Sequence, residues 1–260
     1  MKNNHFFILI ALALVMVTAC TKTITPPLNY SPQLVIEGVV SDTAGPYHVS
    51  LSKTANFYSD NVYPTVSGAT VVITDATANV TDVLSEAASG DYVTHAIIGT
   101  PGHTYQLKVM LAGQTYTATS TMPKPVALDS VTVDYSVSNN FRPVANYQDP
   151  ADQKNYYKYS IQRNGKHVNH FQTFDDRLSN GRYIRDKLDC DTGTFHHGDL
   201  VKVDLVGLDF GAFNFLHEAE AVAYDNANLS TPATPTSNIT GGCIGYFAAQ
   251  TVSSKITRVR

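Results

Sequence analysis

Several groups of residues have types and spacings that could do chemistry. His167 and His170 lie three apart, His196 and His197 are adjacent, and Asp189 and Asp191 flank Cys190. These are zinc-ligating types, but zinc needs three or four ligands that converge. On a strand, His167 and His170 point to opposite faces. The run His196-His197-Gly198-Asp199 reads as a polar turn before a strand, so no metal ligand is assigned. Asp175-Asp176 with Asn180-Gly181 offers oxygen ligands on a turn. It lacks the alternating ligands and closing bidentate Glu of a calcium loop, and a solvated hairpin turn is expected instead. For hydrolysis there is no G-x-S-x-G elbow and no S-x-x-K set, while paired carboxylates would meet only in the fold. Tyr156, Tyr157 and Tyr159 put rings on both faces of one strand, which could form a sugar or peptide platform. Tyr is equally at home capping a sandwich, and the chain has 15 Tyr but no Trp, the residue such platforms recruit. The sequence therefore names no catalytic residue, no cofactor and no ligand-binding residue, and the chain reads as a non-enzyme.

The cysteines carry a clearer message. Lys2 precedes an apolar core, Phe6 to Val17, of signal-peptide length and too short to span a bilayer comfortably. It ends in Val17-Thr18-Ala19-Cys20, small residues closed by a cysteine. This is the pattern of a lipobox, with cleavage before Cys20 and acyl chains on its sulfur and new amino terminus. More than one chain anchors stably. That leaves Cys190 and Cys243, an even pair in an oxidising compartment, expected to bond to each other. The bridge would close a loop of roughly 50 residues, worth about 4 kcal/mol in the chain-entropy account.

The elements that would position such residues are almost entirely strands. Residues 1–19 form the signal peptide, and 20–32, with Thr21 to Pro32 polar and proline-bearing, form a tether. Short runs rich in Val, Ile, Thr and Tyr follow, broken by Gly, Pro, Asn and Asp. Strands are expected at Gln33–Val40, Tyr47–Lys53, Ala69–Thr74, Asp91–Ala96, Thr104–Leu111 and Gln114–Ser120. Tyr105, Leu107, Val109 and Leu111 would face a core, with Ala112-Gly113 as a tight hairpin turn. This spacing argues for a β-sandwich over residues 33–122. The prolines of Thr121–Pro125 mark a boundary to a second β-rich domain, 123–260. There Val131, Val133, Tyr135 and Val137 alternate, as do Tyr157, Tyr159 and Ile161, and Val201, Val203 and Leu205. Phe213–Tyr224 reads as one short helix, and Cys243–Ala248 and Ser253–Val259 as two final strands. Gly241 and Gly242 would allow a tight approach or turn before them. The net charge of −4 and the lack of a basic patch argue against nucleic acid.

Several stretches together resemble a known family: LVIEG at Leu34–Gly38, GPYHVSLSKT at Gly45–Thr54, GATVVIT at Gly68–Thr74, Gly90-Asp91-Tyr92, GHTYQL at Gly102–Leu107, Gly113–Tyr116 and SNITGGCIGYF at Ser237–Phe247. They are similar to the lipoproteins known as domain of unknown function 4249, from outer membranes of Bacteroidetes-type bacteria. The first half also resembles transthyretin-like and carboxypeptidase-regulatory-like sandwiches. The resemblance implies an outer-membrane lipoprotein encoded beside a TonB-dependent transporter. Export signals of related surface lipoproteins place acidic residues after the acylated cysteine, whereas Thr21-Lys22-Thr23 stands here, which leaves the membrane face open. Asp42-Thr43-Ala44 and Asp129-Ser130-Val131 match the D-[ST]-apolar pattern of O-glycosylation in that bacterial group.

The expectation is a non-catalytic, lipid-anchored envelope protein that binds a ligand for, or docks on, a TonB-dependent β-barrel transporter. Two other classes stand beside it: a secreted envelope hydrolase, which needs a deep cleft with perturbed carboxylates, and an adhesive β-module, which needs open sheet edges.

Overall fold

The structure, a computed structural model, describes residues 31–55, 62–137, 140–190, 193–224 and 234–260. The expected signal peptide, Cys20 and most of the expected tether lie outside the described residues, as does Asp191. The fold is all-β with one short helix. Its first strands are β1 (Leu34–Ser41), β2 (His48–Lys53), β3 (Thr70–Asp75), β4 (Val80–Val83), β5 (Ser85–Ala88), β6 (Asp91–Val93), β7 (Thr104–Leu111) and β8 (Gln114–Thr121). The second half contributes β9 (Leu128–Asp134), β10 (Arg142–Gln148), β11 (Tyr156–Arg163), β12 (Lys166–Asp175), β13 (Tyr183–Lys187), β14 (Leu200–Leu208), helix α1 (Phe210–Tyr224) and β15 (Ile244–Arg258).

The strands form where β-branched and aromatic residues alternate. In β7, Tyr105, Leu107 and Val109 are fully or almost fully buried while Gln106 and Lys108 face water. Ala112 (φ 48°) and Gly113 (φ 82°) make the two-residue turn to β8, both in the left-handed region that such hairpins require. β6 is shorter than the expected Asp91–Ala96. Past Thr94 the chain leaves the ladder so that the N–H groups of His95, Ala96 and Ile97 can donate to Asp82 Oδ2, at 2.7, 2.7 and 3.2 Å.

One eight-stranded sheet, ordered β12-β11-β14-β15-β1-β2-β6-β5, runs through the whole molecule. A four-stranded sheet (β4-β3-β7-β8) and a three-stranded sheet (β13-β10-β9) cover the same face of it side by side. The first encloses a core built on Ile36, Leu51, Ile73, Tyr92, Tyr105 and Phe247. The second encloses Tyr147, Tyr157, Tyr159, Leu188, Phe195 and Val203. Each such aromatic, fully buried, contributes on the order of 1.5–3 kcal/mol of transfer free energy. Thr121–Pro125 carries the chain from β8 to β9, with Met122 in the first core and Val126 in the second.

β15 joins the two halves. Ile244 to Gln250 pair with β1 in parallel, and Thr251 to Arg258 pair with β14 antiparallel. The two strands expected at the end of the chain are therefore one, because Gln250-Thr251-Val252 keeps bonding as the neighbour changes. Side chains cap each half where the other neighbour is missing. Asn238 brackets Phe247, accepting from its N–H at 2.9 Å and donating to its carbonyl at 2.8 Å, and Asp42 Oδ1 accepts from Val252 N–H at 2.8 Å.

The expected Cys190–Cys243 disulfide is absent. Cys243 is buried in the first core, whereas Cys190, beyond β13, packs against the second. Burial pushes the Cys243 thiol up to about 11, so it behaves as a small hydrophobe rather than a nucleophile. Gly241 (φ 105°) does serve a close approach, since a Cβ there would meet Tyr116 Cδ1 at 2.7 Å.

Alkylation of the protein unfolded without reductant is expected to label Cys190 and Cys243 on separate peptides, and a linked peptide in mass spectrometry would contradict the separated cores. Gly245 has φ 122°, and a Cβ there would lie 1.9 Å from the Ile36 carbonyl oxygen. Gly245→Ala is expected to cost at least ~2 kcal/mol in chemical denaturation, because it forces β15 away from β1.

Candidate functional site

The back of the eight-stranded sheet, opposite the two cores, is treated in two ways. Over β11, β14 and the start of β15 it is apolar, and α1 covers it. Capped by Asp209, that helix starts at Phe210, three residues before the expected Phe213. Asp209 Oδ1 accepts from Ala212 N–H at 2.9 Å as an N-cap, and its Oδ2 accepts from Thr121 N–H at 3.2 Å. Phe213, Phe215 and Leu216 then pack on Val206, Leu208 and Ala248. Tyr156 lies under the helix, its ring 4.9 Å from Phe213 and 5.4 Å from Phe210.

Past the helix the same face turns polar. Residues of β1, β2, β14 and β15 line an open groove of about 540 Å³. Register brings them together: Glu37 sits beside Tyr246, Asp204 beside Ser254, and Ser41 beside Gln250. Lys202 Nζ is 2.9 Å from Asp204 Oδ1, and Ser254 also donates to that oxygen. Burial depresses the pKa of Lys158, on the neighbouring strand, and the Asp204 charge partly restores it. At the rim His48 Nδ1 lies 2.9 Å from Asp91. Glu37 reaches solvent, yet the walls around it exclude enough water to raise its pKa. Tyr246 is pushed up to about 12, by burial first and then by the Glu37 charge.

A second concavity follows the seam between α1 and β12, in two hollows of about 490 and 660 Å³ that share His217. Glu220 holds it closed. Its carboxylate accepts from the Thr173 backbone N–H at 2.8 Å and from the Thr173 hydroxyl, which lies 2.9 Å from His217 Nδ1. His170 and Cys190 line the smaller hollow. Asp189 is engaged by Arg142 and by the Gln172 amide, the latter at 3.1 Å.

The residues singled out by the sequence fall in separate places. His167 and His170 open into different hollows, as their strand spacing requires. His196 and His197 occupy the turn before β14, where Asp199 accepts from His196 N–H at 2.9 Å and His197 meets the Phe141 ring at 4.7 Å. Among the described residues, no three or more His, Cys, Asp or Glu are grouped to hold a metal. Asp176 accepts from Asn155 N–H at 2.9 Å and its carbonyl anchors Ser179 and Asn180, so the acidic loop is a turn. Tyr157 and Tyr159 are core residues stacked on Phe174 at 5.1 and 4.7 Å, and form no platform. Thr43 and Ser130 are both exposed. The groove residues were legible individually as outward positions of strands. Their convergence was not, because they span positions 37 to 254.

Asp209→Ala is expected to lower stability by ~1 kcal/mol or more in urea denaturation, through the lost cap and the lost bond to β8. A variant as stable as the parent would show that packing alone fixes the helix.

No curated protein sequence matches the chain. Among solved structures, the chicken interferon gamma receptor alpha chain is 7% identical, with 69% of this chain and 90% of that one covered and a TM-score of 0.21, too low to carry an argument. Residues 21–256 match the family described as domain of unknown function (DUF4249). The chain belongs to that family.

Proposed function

We propose that the protein is a non-catalytic, lipid-anchored component of the cell envelope, held on the outer membrane through Cys20, that binds a ligand for a TonB-dependent β-barrel transporter or docks on it. The observation that supports this most is the treatment of the sheet's back face, where α1 covers the apolar half and leaves the polar half as a shallow open groove. Open, shallow surfaces suit reversible capture and docking, whereas a hydrolase needs its reacting groups enclosed. The lipobox at Val17–Cys20 supports the anchor. No helix among the described residues is long and apolar enough to cross a membrane.

The adhesive reading depends on strand addition at a sheet edge. β12 is such an edge, but Glu220 occupies the Thr173 N–H that an added strand would need. This favours docking over polymerisation.

Cross-linking of outer membranes carrying the tagged, acylated protein, followed by affinity purification and mass spectrometry, tests the reading. The expected result is a β-barrel transporter at near-equal stoichiometry, lost when Cys20→Ala removes the anchor. Recovery of the protein alone from intact membranes would overturn the transporter role.

A further inference from the structure

The back-face groove carries more information than its openness. Two ion pairs stand in or beside it: Lys202 with Asp204 at 2.9 Å, where Lys158 on the neighbouring strand also feels the Asp204 charge, and His48 with Asp91 at 2.9 Å. Three polar groups are left over. The Glu37 carboxylate, the Tyr246 hydroxyl and the Gln250 amide make no side-chain hydrogen bond among the described residues, although all three line the groove. Glu37 and Tyr246 are direct neighbours across the β1–β15 ladder, and Gln250 lies two pleat repeats further along the same face, past Ala248. Around them stand the hydroxyls of Ser41, Thr43, Ser50 and Ser254. The Tyr246 ring is held in place by Phe215 of α1, with centroids 5.4 Å apart and planes at 27°.

This combination fits one ligand class. A carboxylate accepts hydrogen bonds, an amide both donates and accepts, and hydroxyls do either, so the lining matches groups that are themselves hydroxyls. The flat apolar body of Tyr246 and the floor of Val39 and Val252 match the C–H faces between such hydroxyls. An anionic ligand would meet the Glu37 carboxylate, and Lys202, the lysine that lines the groove, is already paired with Asp204. A volume of about 540 Å³ lies within the range of small-ligand sites. We propose that the groove binds a short neutral oligosaccharide, with Glu37, Tyr246 and Gln250 as its hydrogen-bonding residues. This rests on the ligand-binding reading above and names the ligand's class.

The test is retention of the full-length, detergent-solubilised protein on an array of immobilised neutral and uronic-acid glycans, followed by titration calorimetry with the retained trisaccharide. Binding to neutral glycans is expected, weakened at least tenfold by Glu37→Gln and by Gln250→Ala. Gln106→Ala, on the exposed face of β7, is expected to leave it unchanged. Both groove variants leave the backbone pairing of their strands in place, and an unchanged thermal melt verifies that they fold. No retention on any neutral glycan would overturn the proposal, as would preference for uronic acids or equal loss in Gln106→Ala. The transporter role is read separately: a parent protein that cross-links to a β-barrel but is retained on no glycan refutes the sugar site and leaves the docking reading standing.

Discussion

The backbone ladder of β15 is the interaction on which everything else here depends. A single strand supplies the parallel partner of β1 and, further on, the antiparallel partner of β14. Without it there would be two half-sheets, each with an open edge along its middle and each backing only one core. The change of neighbour at Gln250-Thr251 leaves two stretches of strand unpaired on one side. Asn238 and Asp42 satisfy backbone groups there with side-chain atoms at ladder distances. Gly245 lets the first half of the strand lie against β1 at a distance that no side chain could share. The polar groove is a product of the same arrangement, because it straddles the strands that β15 brings side by side.

Much of this was legible in the sequence where the physics is local. The alternation in β7, the left-handed pair Ala112-Gly113 and the apolar spacing of α1 each state their own conformation. Local signals failed where the strands are polar or interrupted. β4 (VTDV) and β5 (SEAA) are four residues each, too short to show an alternation, and β5 has no β-branched or aromatic residue. β10 contains Pro143, tolerated at its second position where the strand begins. β12 is rich in His, Asn and Gln, and the Asn164-Gly165 turn that precedes it, with both residues at positive φ, is a better marker than its own residues.

The cysteine pairing illustrates a different limit. Counting thiols in an oxidising compartment is a sound prior, but it contains no distance. Cys190 and Cys243 belong to different cores, one under each covering sheet, and a prior on number cannot express that. The groove was invisible for the same reason. Glu37, Lys202 and Tyr246 are each ordinary outward residues of a strand, and only the order β14-β15-β1 makes them neighbours.

The position of β15 in the chain has a kinetic consequence. β1 and its partner are separated by nearly the whole described chain, so the pairing is about as non-local as this molecule permits. Neither sandwich can complete its central sheet until the last strand is available, and the loop closure this requires slows the final step. A nascent chain therefore stays incompletely folded until β15 emerges. The final strand is in this sense a timer that holds both halves in an open state and then closes them together.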